Sequence, residues 1–155
     1  MMQRNMGTTI ILILLALLTG CCIALQASAN SNFRSNLGNQ PLYAAYFSIC
    51  GTFVTASCAL ALLRPPPPSW SAVQQTPWWN WIGGPLGALI VLAGATLTRE
   101  LGAALFIALV IAGQLLCSLI LDHFAWLGLS HHPVTPGRLA GALLVLAGVV
   151  CIKYL

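Results

Sequence analysis

The chain has 155 residues, of which 59% are hydrophobic and 5% charged. A soluble domain of this size cannot hide so large an apolar fraction from water, whereas a bilayer solvates it. Six basic residues face two acidic ones, but they are scattered rather than gathered in a stripe, which removes nucleic-acid binding; no phosphate loop, metal-ligand spacing or supported Ser-His-Asp order speaks for an enzyme.

Apolar stretches at about 7–27, 42–63, 81–97, 101–121 and 138–155 are each near the roughly 20 residues that cross a bilayer as a helix. The expected fold is all-α: one polytopic integral membrane domain of five transmembrane helices. The first stretch carries two processing look-alikes, Leu18-Thr19-Gly20-Cys21 and Ala27-Ser28-Ala29. The apolar run continues past Cys21 to Leu25 and four more spans follow, so a retained helix is expected rather than a cleaved leader. The stretch closes in polar residues from Gln26 to Asn32, and the segment to Gln40 has room for a helical turn or two. Pro41 then stands in the first turn of span two, where its missing N–H costs little.

Span two ends at Arg64, before a Pro-rich loop over 64–77. Pro65 to Pro68 cannot continue a helix and favour an extended polyproline spacer. Trp78, Trp79 and Trp81 follow. Indole rings favour the headgroup layer, so this cluster anchors the start of span three; stacking of a sugar or cation on Trp78 and Trp81 is the sharper alternative. Gly83, Gly87 and Gly94 in span three, and Gly137, Gly141 and Gly148 in span five, expose backbone along one face of each helix. Such faces allow close approach of a neighbouring helix or of a second copy. Between spans three and four, Thr98 to Gly102 reads as a tight hairpin, with Arg99 and Glu100 a solvated pair.

Span four carries the clearest polar stripe. Gln114, Ser118 and Asp122 recur every four residues, with His123 next. An amide and a hydroxyl deep in hydrocarbon need partners, so this face should turn into the bundle. Two readings stand. The stripe is interhelical glue, with Asp122 and His123 at the water edge, or it lines a substrate or proton path in which a buried Asp122 carries the proton. Beyond it, Phe124, Trp126, Leu127 and Leu129 suit a short interfacial segment. His131 and His132 lack a third ligand nearby, so no metal is expected, and nothing implies a cofactor. Cys21, Cys22, Cys50, Cys58, Cys117 and Cys151 all lie in apolar segments and read as free thiols.

With five spans, Arg4, Arg64 and Arg138 fall on one side of the membrane and Arg34, Arg99 and Lys153 on the other. Orientation follows Lys/Arg bias, and here there is none. A chain without bias can insert both ways up and form an antiparallel dimer about an axis in the membrane plane, the symmetry of inverted-repeat transporters. The plainer alternative is one orientation set by packing or a partner protein.

Several motifs together resemble a bacterial family. They are Gln26-x-x-x-Asn30, Leu37-Gly38-x-x-Pro41-x-x-Ala44-Ala45-x-x-Ser48-x-x-Gly51, Pro77-Trp78-Trp79-x-Trp81-x-Gly83-Gly84 with Leu86-Gly87-Ala88, and Leu101-Gly102-Ala103-Ala104. Gly113-Gln114-x-x-x-Ser118-Leu119-x-x-Asp122-His123-Phe124, Arg138-x-x-Gly141 and Gly148-Val149 complete the pattern. In order, they are similar to the YdcZ-like family of the drug/metabolite transporter superfamily; Ala125 departs from the glycine expected after Asp-His-Phe. The resemblance implies half of a ten-helix inverted-repeat fold in the bacterial inner membrane, paired with itself or a paralogue and carrying a small organic solute. It also moves the polar stripe from glue towards cavity lining, with Gln26, Asn30, Gln114, Ser118 and Asp122 as primary candidates and Ser48, His123, Trp78 and Trp81 as secondary ones. The competing expectation is a non-transporting accessory or scaffold subunit.

Overall fold

The computed structural model describes residues 6–155, and the regular structure among them is helical throughout. Six α-helices form: α1 (Met6–Asn36), α2 (Pro41–Leu63), the short α3 (Trp70–Gln74), α4 (Gly83–Leu101), α5 (Ala103–Phe124) and α6 (Pro136–Tyr154). All but α3 are long and apolar enough to span a membrane, α4 together with the 3₁₀ turn at Trp78–Ile82 that leads into it. Arg4 lies outside the described residues, so its side of the membrane rests on the sequence.

Local chemistry sets the boundaries. Pro41 opens α2, and Arg64 closes it in the left-handed region, its N–H donating to the Leu60 carbonyl. Residues 64–69 are non-helical, as four prolines require. Thr135 caps α6 by accepting from the Arg138 N–H, with Pro136 in the first turn. The link between α4 and α5 is a single residue, Gly102, at φ +82° and ψ 149°. A side chain strains this backbone, so the hairpin depends on glycine.

The first span runs further than its apolar stretch. α1 remains helical through Asn36, because its polar last turns have a partner. Ala27, Asn30 and Ser31 are buried there, and α1 packs along α4. Tertiary packing holds in one continuous helix the turn or two that the sequence left room for beyond the apolar stretch. At about 1.5 Å per residue, 31 residues reach roughly 46 Å, more than the hydrocarbon layer needs. The opposite half, from Met6 to Leu18, presents isoleucine and leucine side chains on every face and buries none of them.

α4 is the hub, packing on α1, α2 and α5. α6 joins through α5, so the helices form an open arc with α2 and α6 at its ends. Alanine dominates what is buried: Ala27, Ala44, Ala45, Ala95, Ala112 and Ala142, with Phe106, Leu119 and Val149. Association in lipid gains nothing from hiding leucine, so small residues that let backbones approach do the packing. An added Cβ at Gly94 would meet the Cα and Cβ of Ala27 at 3.4 Å. At Gly83, Gly87, Gly137, Gly141 and Gly148 it would meet nothing within 4 Å, so those faces have no close neighbour among the described residues. The six cysteines are free thiols.

Ala125, where the family pattern expects glycine, caps α5 at φ 52° and ψ 35°. The left-handed region costs a residue with a Cβ about 1 kcal/mol. Ala125→Gly is expected to stabilise the protein by up to about 1 kcal/mol, read as a higher unfolding midpoint in detergent. An unchanged or lower midpoint would show that the connection tolerates the strain.

Candidate functional site

Three helices enclose a half-open hollow of about 470 Å³ that runs from the middle of the bundle toward the start of α4. α1 contributes Gln26, α2 contributes Ile49, Thr52 and Phe53, and α4 contributes Gly83, Gly84, Gly87 and Ala88 with Ile90 and Val91. The missing side chains of the three glycines create the space. Glycines of span three, read as a packing face, here form one wall of the hollow.

Its chemistry is apolar with two polar points, the Gln26 amide and the Thr52 hydroxyl. Thr52 donates to the Ser48 carbonyl one turn earlier, at 3.1 Å. Ser48 itself is half-buried beside the hollow rather than in its wall. Among the described residues no ionisable side chain lines it. A narrow continuation leads from Gln26 past Ala27 to the buried Asn30, closed by Gly94 of α4 and by Phe106 and Val110 of α5. Gln26 belongs to both spaces and joins them.

Helical register relates the α5 stripe to this channel. Gln114 lies one turn beyond Val110, about 40° around the helix from it, and is exposed. Ser118, a turn further, is exposed and donates to the Leu115 carbonyl at 3.0 Å. Gln26 and Asn30 are brought together against α5, whereas Gln114 and Ser118, expected to turn into the bundle, are exposed within this chain. Each four-residue step turns about 40° around the helix and carries the stripe from the channel onto the open side of α5.

Asp122 sits apart, at the end of the bundle. Its carboxylate forms an ion pair with Arg138 of α6, and both side chains are partly buried. Arg138 also donates to the carbonyl of His132 at 2.8 Å, and the His132 N–H donates to the carbonyl of Asp122 at 2.9 Å. His123 accepts from the Val134 N–H through Nδ1 at 3.3 Å. Asp122 and His123 therefore stitch the α5–α6 connection to both helices. A shallow opening of about 530 Å³ above the pair is lined by His132, Pro133 and Thr135. Trp81 lines a separate shallow recess of about 290 Å³ with Pro68, Ala72 and Asn80, and Trp78 is exposed beside it. Among the described residues no group of three His, Cys, Asp or Glu side chains stands ready for a metal.

At the other end, Glu100 does not face Arg99. It pairs with Arg34 of α1 at 3.4 Å, and Arg34 also donates to the Thr96 carbonyl at 3.0 Å. Arg99 instead donates to the Ser35 hydroxyl and, at 3.5 Å, to the Asn39 side chain. Consecutive residues project about 100° apart on a helix, so neighbours in sequence take different partners.

Sequence reasoning did not single out Ile49, Thr52 and Phe53 of α2 or Ile90 and Val91 of α4 as lining, and it quoted Ala88 only as part of a motif. The signal available was the Ser48–Thr52 hydroxyl pair on one face of α2, opposite a glycine run.

Five helices able to span a membrane, three of them around a half-open apolar hollow, define a polytopic membrane protein. Sequence comparison narrows this: a family model described as "Putative inner membrane exporter, YdcZ" matches residues 11–151, and the chain belongs to that family. "Inner membrane protein YdcZ" of Escherichia coli (strain K12) is 36% identical over 76 residues, 49% of this chain and 50% of that protein. The match thus spans about half the length of this curated relative. No solved structure matches the chain.

Proposed function

We propose that this protein is a secondary transporter of a small, uncharged organic solute, working by alternating access across the inner membrane as an antiparallel homodimer. The observation that carries the reading is the hollow, whose volume lies in the range of about 300–1,000 Å³ typical of small-molecule sites. Its apolar wall suits an organic body, and Gln26 and Thr52 supply hydrogen bonds for orientation. Asn30, Gln114 and Ser118 extend the polar track along which the solute moves.

An uncharged cargo follows from where the charges are. An unpaired charge in such a hollow loses its hydration without compensation, at a cost of several kcal/mol. Both carboxylates of the chain, Glu100 and Asp122, are engaged by arginines at the helix ends. A second copy turned upside down adds the same arrangement, ends against ends, and leaves the midplane uncharged. In this reading Asp122 anchors α6 and carries no proton.

The homodimer rests on the balanced basic residues and on the open arc. The hollow lacks a wall on one side, and the exposed glycine face of α6, at Gly137 and Gly141, offers a second copy a close approach. Reporter fusions at the C-terminus are expected to signal from both sides of the membrane. A single orientation would replace the homodimer with a paralogue pair or with the accessory-subunit alternative.

The transport test fills the hollow. Gly87 has open space at its Cβ, so Gly87→Trp is expected to leave folding intact while occupying the cavity. Cells expressing the wild type would show altered accumulation of particular members of a panel of neutral, cationic and anionic labelled solutes. The altered members should be neutral, and Gly87→Trp at equal expression should reduce the effect at least roughly tenfold, as expected when a site is blocked sterically. Accumulation identical in wild type, variant and empty cells would end the transport reading; an effect confined to cations would end the uncharged-cargo reading.

A further inference from the structure

A second polar recess lies at the opposite end of the bundle, outside the transport hollow. It opens between α1 and the α4–α5 turn, with a volume of about 510 Å³, and is lined by Ser28, Ser31, Asn32, Ser35, Thr98 and Arg99, with Ala103 at its edge. Three features give it the chemistry of an oxyanion site.

The first is charge. Arg34, Arg99 and Lys153 stand at helix ends on this side of the bundle with Glu100 among them, and Glu100 is held by Arg34. Arg99 lines the recess, and its contacts within the chain are to the neutral Ser35 and Asn39. The second is the start of α5, a 22-residue helix whose first turn has no side-chain cap and no acidic residue. Its leading N–H groups are free donors at the positive end of the helix, beside Ala103.

The third is Thr98. Serine and threonine in membrane helices commonly satisfy their hydroxyls on the carbonyl one turn earlier. Here Thr19, Ser35, Thr52, Thr55, Ser57 and Thr96 all do so. Thr98 does not. Its side chain is buried, with 6% of the residue exposed, and its Oγ1 has no partner among the described residues. A buried hydroxyl left unpaired costs about 1–3 kcal/mol. Thr98 Oγ1 is sealed from the recess as its side chain stands, and a turn about χ1 toward a bound oxygen removes that cost.

We infer that this recess binds a tetrahedral oxyanion, a phosphate group, through the Arg99 guanidinium, the first N–H groups of α5 and the surrounding hydroxyls. Because the recess sits where α4 ends and α5 begins, at headgroup depth, the phosphate belongs to a phospholipid headgroup or arrives free from solution. The inference is independent of the transport reading, since it uses neither the hollow nor its residues.

The test uses the full chain, stripped of lipid in a neutral detergent. Retention of added phosphatidylglycerol is read by native mass spectrometry, and inorganic phosphate is titrated separately against thermal stability. Arg99→Gln is expected to weaken binding roughly tenfold, the scale of one charge-assisted contact. Thr98→Val, which keeps shape and charge, should weaken it several-fold. Arg64→Gln, an exposed arginine whose contact is to its own helix, should leave it unchanged. If Arg99→Gln fails to fold, Arg99→Lys keeps the charge, loses the two-pronged geometry and should still weaken binding. Retention of lipid without a response to phosphate identifies a headgroup site; a response to phosphate identifies a free-anion site. Binding of neither, or equal binding by wild type and the Arg99 variants, overturns the inference.

Discussion

Gly94→Leu is expected to abolish the folded protein. A Cβ at this position already stands 3.4 Å from the Cα and Cβ of Ala27, so a larger side chain must push α1 away from α4. α4 packs on three other spanning helices, and Ala27, Asn30 and Ser31 are buried along the α1–α4 seam. Overpacking a tight seam typically costs about 1–3 kcal/mol, and a four-carbon side chain against backbone belongs at or above the top of that range. The displacement would also strand Asn30 and Thr98 away from their packing. The measurement is the monodisperse fraction after detergent extraction, followed as temperature rises. Gly94→Ala is the internal control. Its contact is at the tolerable limit, and the better helix propensity of alanine, about 1 kcal/mol, offsets the strain, so the midpoint should barely move. Gly87→Ala, with nothing within 4 Å, should behave as wild type in folding. A stable, monodisperse Gly94→Leu protein would show that α1 and α4 do not meet where the structure puts them.

Arg138→Ala is the second large effect. The Asp122–Arg138 pair ties α6 to α5, the helix through which α6 joins the bundle. Arg138 also holds the His132 and Pro133 carbonyls, so its loss frees the whole α5–α6 connection and leaves Asp122 without its ion partner. Breaking a buried pair costs about 3–5 kcal/mol; here the two side chains retain 35% and 25% exposure, so solvent screening reduces the expectation to about 1–3 kcal/mol. Limited proteolysis should cut within residues 125–135 at least several-fold faster than in wild type. Adding Asp122→Asn to Arg138→Ala should recover part of the stability, because the isolated carboxylate is then gone. Unchanged proteolysis and stability in Arg138→Ala would remove the anchoring role and return Asp122 to the list of coupling residues.

The two ends of the bundle show how much of the site was legible in advance. The polar stripe on span four was visible from its four-residue repeat, yet the repeat cannot say that Asp122 finds an arginine sixteen residues away. It also treats Arg99 and Glu100 as one pair, whereas the helix turns them toward different residues of α1. The glycine runs were equally visible, and among the described residues only Gly94 has a close neighbour. Gly83 and Gly87 instead open a hollow whose opposite wall, Thr52 and Phe53, gave no signal beyond a pair of hydroxyls.

Composition and hydropathy by themselves determined that this chain lives in a bilayer, crosses it as five helices and carries its charges at their ends. Those are one-dimensional properties: helix length against membrane thickness and the cost of ions in hydrocarbon. Tertiary structure alone decided which faces meet and which space is left between them. In lipid, apolar side chains gain nothing by hiding from their surroundings, so hydropathy carries no information about neighbours. Close fit decides instead, and the seam of Ala27 on Gly94, the partners of Arg34 and Arg138 and the cavity beside Gln26 exist only once the helices are packed.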